Sequence, residues 1–132
     1  MANGTIAFDT LSTSGQITGT AKSVDTDYLA NGVNKVWVNF NGTGTIAVKD
    51  SFNVSGITDD GTGNYTITIA NDMVNAFYCS NLTSQAGATA YGFSTGNNTQ
   101  TASALTGIFT IQHGGSTQDV SHLSASINGD LA

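Results

Sequence analysis

Residues 36–69, VWVNFNGTGTIAVKDSFNVSGITDDGTGNYTITI, are a series of strand-like runs cut apart by glycine-rich turns, with no proline and little charge. Apolar residues alternate with polar ones in this stretch, so a chain containing it is committed to half-buried β-strands. In VWVNF, Val36, Val38 and Phe40 share one face and Trp37 points away from it. In YTITI, Tyr65, Ile67 and Ile69 form one face with threonines opposite. A third run, IFTIQ at 108–112, blurs the alternation, which suits a strand buried on both sides. Weaker strand patterns cover residues 5–8, 45–48, 51–54, 76–80, 88–93 and 120–127. They recur about every ten residues, the spacing of a sandwich or barrel.

The residues that are missing reinforce this. Every acid is Asp and every base is Lys, while Glu, Arg and Pro are absent. The usual surface helix formers are therefore scarce. Thr, Ser, Asn and Gly supply strand and turn propensity instead. We expect an all-β fold, a single antiparallel β-sandwich of jelly-roll-like form, with one short helical turn at residues 71–75. Asn41-Gly42 has the composition of a type I′ hairpin turn, and residues 59–63 (DDGTG) that of a longer one. Residues 1–31, polar and weakly periodic from residue 9 on, read as an extended N-terminal arm, and residues 32–132 as the sandwich. Residues 94–106 read as an exposed polar loop.

A length of 132 residues suits one domain with a core large enough to need no disulfide or metal. The net charge of −6, with three basic residues, excludes the clustered lysine and arginine that nucleic acid or an anionic membrane requires. No apolar run is long enough to cross a bilayer, and the N-terminus lacks the basic and apolar regions of a signal peptide. A single cysteine, Cys79, excludes an internal disulfide and fits folding in a reducing cytoplasm.

Nothing in the chain marks chemistry. His113 and His122 could face each other across a hairpin or gather on a symmetry axis, but Cys79 stands at no metal-ligand spacing from either, and ordinary polar or interface histidines are the simpler reading. Asp25-x-Asp27 and Asp59-Asp60-Gly61 resemble fragments of calcium loops, yet the chain has no Glu to close one. Neither glycine cluster matches a phosphate-binding loop. We expect no enzyme activity and no cofactor. Tyr91, Phe93, Asn97, Asn98 and Gln100 set aromatics beside amides, the pairing that lectin-like surfaces use for sugars. They are the candidate receptor-contact residues.

Exposed sheet edges are normally blunted by Lys, Pro or inward charges. A chain with three lysines and no proline has little to spread over its strands, so either the sheet closes on itself or its edges pair with identical neighbours; the extended arm favours pairing, and we expect a homotrimer.

The run SGQITGTAKSVDTDY at 14–28, with Asn31-Gly32 and Lys35-Val36-Trp37-Val38, resembles the opening of small tail-fibre-like proteins of tailed bacteriophages, of the marine and cyanobacterial type. Residues 40–47 (FNGTGTIA), 50–55 (DSFNVS) and 58–63 (TDDGTG) resemble that family's most specific signature. Residues 71–73 and 75–78, and the ending INGDLA, are similar to its later blocks. The resemblance implies a homotrimeric β-rich module of the virion surface, folded in the host cytoplasm, without catalytic residues. Its partners would be its own copies, other tail or capsid proteins and, in a fibre, a host cell-surface glycan. The alternatives are a capsid decoration protein stabilising the phage head and a carbohydrate-binding or carbohydrate-cleaving protein.

Overall fold

The computed structural model describes residues 16–18, 23–85, 91–94, 100–112 and 114–132. Its core is a sandwich of two antiparallel sheets. The first has the order β4 (Ala47–Phe52), β3 (Asn34–Asn41), β11 (Leu123–Asn128), β7 (Cys79–Ser84). The second has the order β5 (Val54–Gly61), β6 (Asn64–Ile69), β10 (Ala104–Gln112), with β8 (Tyr91–Ser94) and β9 (Gln100–Thr101) following one another along the far side of β10. The expected sandwich is present. A jelly roll, however, is wound from two Greek keys, whereas β3–β4 and β5–β6 are two plain hairpins in succession, so that finer expectation is corrected.

Alternation builds the core as the sequence indicates. Val36, Val38 and Phe40 of β3, Tyr65, Ile67 and Ile69 of β6, and Leu123, Ala125 and Ile127 of β11 are all buried. Each large apolar side chain removed from water contributes roughly 1.5–3 kcal/mol. The rings of Phe40 and Tyr65 meet edge to face, centroids 5.3 Å apart at 78°, and tie the two sheets together. In β10 a bulge between Leu105 and Ile108, with Gly107 at φ 65°, brings both side chains to the core despite their three-residue spacing.

Where the chain changes direction, short polar side chains fix it. Strand β4 passes to β5 through Asn53 alone, at φ 57°, where the chain leaves one sheet for the other. Asn is among the few residues that tolerate this region. Asn53 Oδ1 accepts the backbone N–H of Asn71 at 2.7 Å, and its own amide donates to the Asn71 carbonyl at 3.1 Å. The single strand expected over 51–54 is thus two strands meeting at a corner. Asn41-Gly42 does not form a two-residue turn. Strand β3 runs through Asn41, and residues 42–46 form the loop, with Asn41 Oδ1 accepting the Thr43 N–H and hydroxyl and Gly44 in the left-handed region.

Two further expectations are corrected. Residues 71–75 are not helical: they cross between the sheets, with Met73 bridged to Leu131. The helix lies instead at α1 (Thr26–Gly32), inside the segment expected to be an extended arm. There β1 (Gln16–Thr18) and β2 (Ser23–Asp25) pair antiparallel just before it. Asp25, Thr26 and Asp27 are residues that start helices, and Asn31-Gly32 is a stop signal. The weak strand expected over 5–8 lies outside the described residues. The one expected over 76–80 begins only at Cys79.

Candidate interaction surface

The two ends of the sandwich differ in chemistry. At one end β3 and β7 begin and β11 and β4 finish, while in the other sheet β5 and β10 begin and β6 finishes. Val33 immediately precedes β3, and Phe52 is the last residue of β4. Val74 and Phe77 lie on the crossing between the sheets. Leu131 is held beside them by the Met73 bridge and by the Val74 N–H donating to the Asp130 carbonyl at 2.9 Å. Helix α1 joins this end through the Gly32 carbonyl, which accepts from the Asn128 amide at 3.3 Å, and it carries Tyr28. Among the described residues seven large apolar side chains are exposed, and all but Val48 are these six. Phe77 is 93% exposed and Tyr28 75%. Such clustering is unlike the single scattered apolar residues of an ordinary surface. Asp72 and Asp130 are exposed beside the patch.

The sequence around Phe77 explains its position. Phe77 and Tyr78 are adjacent, and alternation allows only one of them inward. Tyr78 is the buried one, its hydroxyl donating to the Ala104 carbonyl at 2.9 Å, and burial pushes that hydroxyl up to about 12.

The opposite end is polar, glycine-rich and closed by hydrogen bonds. Asp119 Oδ1 accepts the Gly63 N–H at 2.6 Å and the Tyr65 hydroxyl at 3.2 Å. That hydroxyl also lies 3.2 Å from the Gly42 carbonyl. Thr110, buried in β10, donates its hydroxyl to the Gln118 carbonyl. Burial, and next the Asp119 carboxylate, push Tyr65 up to about 12. The outer face of the first sheet carries Trp37 and its cross-strand partner Phe52. One terminal atom of the Asn39 amide lies 2.7 Å from both Ser124 Oγ and His122 Nε2.

The candidate receptor-contact residues fare differently. Tyr91 and Phe93 occupy β8 at positions opposite Gln112 and Thr110 of β10. Asn97, Asn98 and His113 lie outside the described residues. Gln100 is half-buried in β9, and its amide nitrogen lies 3.4 Å from both the Tyr78 carbonyl and Ser80 Oγ, so it braces one sheet against the other. Of the loop expected over 94–106, Ser94 closes β8, Gln100–Thr101 form β9 and β10 begins at Ala104, while residues 95–99 lie outside the described residues. Among the described residues no three His, Cys, Asp or Glu side chains form a metal cluster, and no helix is long and apolar enough to cross a membrane. Cys79 is exposed. The fold and this surface define a small β-sandwich module with one apolar and one polar end. Comparison with protein-family models, curated proteins and solved structures finds no match to the chain.

Proposed function

We propose that the chain is a bacteriophage virion structural protein, a surface-displayed tail-fibre or adhesin module that assembles as a homotrimer. The observation that carries this reading is the segregation of exposed apolar side chains to the end where the N-terminal segment meets the sandwich. A module buried at one end against copies of itself or its virion partners, and displayed at the other, has this division. The edges β4 and β5 supply further pairing surface, since neither carries a proline and Lys49 is the single lysine on the two strands. The residues that carry the phage resemblance support the reading from another side. They form the 42–46 loop, the Asn53 corner and the turn at Thr62-Gly63, the positions that set the path of the chain. Contact with a host glycan falls to the displayed surfaces, and specificity to residues 81–120, which none of the blocks that carry the resemblance includes.

Mass spectrometric counting of the protein in purified particles tests this. Presence at the low copy number of fibre positions supports the fibre reading. The high copy number of a capsid lattice transfers the protein to head decoration, and absence from the particle removes both. Binding or cleavage of host polysaccharide by the free chain, without particle association, would favour a carbohydrate-active protein instead.

A further inference from the structure

We infer that His122 is a proton-sensitive clip that holds the edge strand β4 against its sheet. The ring lies between two strands. Lys49 Nζ of β4 is 3.1 Å from His122 Nδ1 and 3.1 Å from the Ser121 carbonyl. On the other side, the Asn39 amide of β3 is 2.7 Å from His122 Nε2. An ammonium can only donate, so Nδ1 must be the bare acceptor nitrogen and the ring proton sits on Nε2. Nε2–H then needs an acceptor, which places the oxygen of the Asn39 amide, not its nitrogen, toward the ring. The same oxygen accepts the Ser124 hydroxyl. With the amide turned the other way, Oδ1 is buried without a partner.

Neutral His122 therefore links Lys49 on β4 to Asn39 on β3 and, through Asn39, to Ser124 on β11. The link falls where it counts. The β3–β4 ladder has a register shift between Asn39 and Phe40, next to the Asn39↔Asp50 and Phe40↔Val48 pairs, and residues 47–50 are exposed. A second proton on the ring occupies the lone pair that Lys49 uses and sets two cations against each other. Of the other groups around the ring, Asp50 follows Lys49 on β4, with one carboxylate oxygen accepting the Ser51 N–H at 2.9 Å. Ser121, Ser124, Asn39 and Gln85 are uncharged; the Gln85 N–H donates to the His122 carbonyl at 2.9 Å and its Oε1 accepts the Ser121 hydroxyl at 3.1 Å, neither touching the ring nitrogens. Acidification thus breaks the contact with Lys49 while Nε2–H keeps its bond to Asn39, so the ring stays on β3 and lets go of β4, loosening the middle of that strand and opening a sheet edge to a pairing strand.

Hydrogen exchange read by NMR tests the clip in the wild-type chain. After correction for intrinsic rates, protection of the Val48 and Asp50 amides should fall roughly fivefold as His122 becomes protonated, while Ile67 in β6 stays unchanged. His122→Asn, which keeps an acceptor but cannot take the proton, should abolish the drop, and Lys49→Met should shrink it. Ring-nitrogen shifts at neutral pH should report the Nε2–H tautomer. An Nδ1–H tautomer, a wild-type β4 insensitive to acid, or a drop that persists unchanged in Lys49→Met would each overturn the proposal.

Discussion

Raising the pH toward 12 probes the two buried tyrosines directly. Tyr65 and Tyr78 are both displaced from 10 to about 12, Tyr65 by burial and the neighbouring Asp119, Tyr78 by burial alone. In the unfolded chain their hydroxyls ionise near 10, so between about 10 and 12 the native state holds protons that the unfolded state has lost. Stability therefore falls as pH rises through that window, and the contribution is complete below about pH 10. With one unit of pKa worth 1.36 kcal/mol, each tyrosine costs roughly 1.4 kcal/mol by about pH 11 and roughly 2 kcal/mol by about pH 12. The assay is urea unfolding across this range, with tyrosinate absorbance followed in the native protein. Tyr65→Phe separates the tyrosine effect from lysine titration: it should remove about half of the tyrosine-linked slope, even though losing the hydroxyl itself costs about 1–3 kcal/mol at neutral pH. A native chain in which Tyr65 and Tyr78 ionise at 10 without unfolding, or a slope unchanged in Tyr65→Phe, would refute the reasoning.

Gly63→Ala should destabilise by about 3 kcal/mol or more in urea unfolding, because its Cβ would sit 2.6 to 2.8 Å from backbone atoms of Gln118 and Thr110 at a residue with φ 62°. Gly42→Ala drives a Cβ into the Tyr65 hydroxyl and should also destabilise strongly. Combining it with Tyr65→Phe should cost less than the sum of the two single changes, since that variant removes the closest clashing atom. Ile67→Ala, in the fully buried centre of β6, should cost about 2–5 kcal/mol in the same measurement.

The strands were legible wherever one face of a sheet looks inward. Val36, Val38 and Phe40 alternate with Trp37 and Asn39 because a buried face forces period two, and the same logic placed Tyr65, Ile67 and Ile69. Helix α1 was not legible because a seven-residue polar turn has no apolar face to repeat. The corner at Asn53 was missed because a left-handed Asn between two strand-like runs reads the same whether the chain folds back as a hairpin or passes to the opposite sheet. The apolar end escaped for a different reason: Val33, Phe52, Phe77 and Leu131 are far apart in sequence and fall at one end only once the strand ends line up. The contact between Asn39 and His122 spans 83 residues and has no local pattern at all. Gln100 shows the reverse error. A polar residue in a polar stretch suggested a surface contact, yet its side chain is spent inside the fold.

Sedimentation equilibrium at micromolar concentration tests assembly through the apolar end most directly. The wild-type chain should sediment at three times its 13.5 kDa mass. Phe77→Asp places a charge on a side chain that is 93% exposed, so it should leave folding stability within about 0.5 kcal/mol yet yield a monomer. A wild-type monomer, or a Phe77→Asp variant that still forms the trimer, would contradict the account.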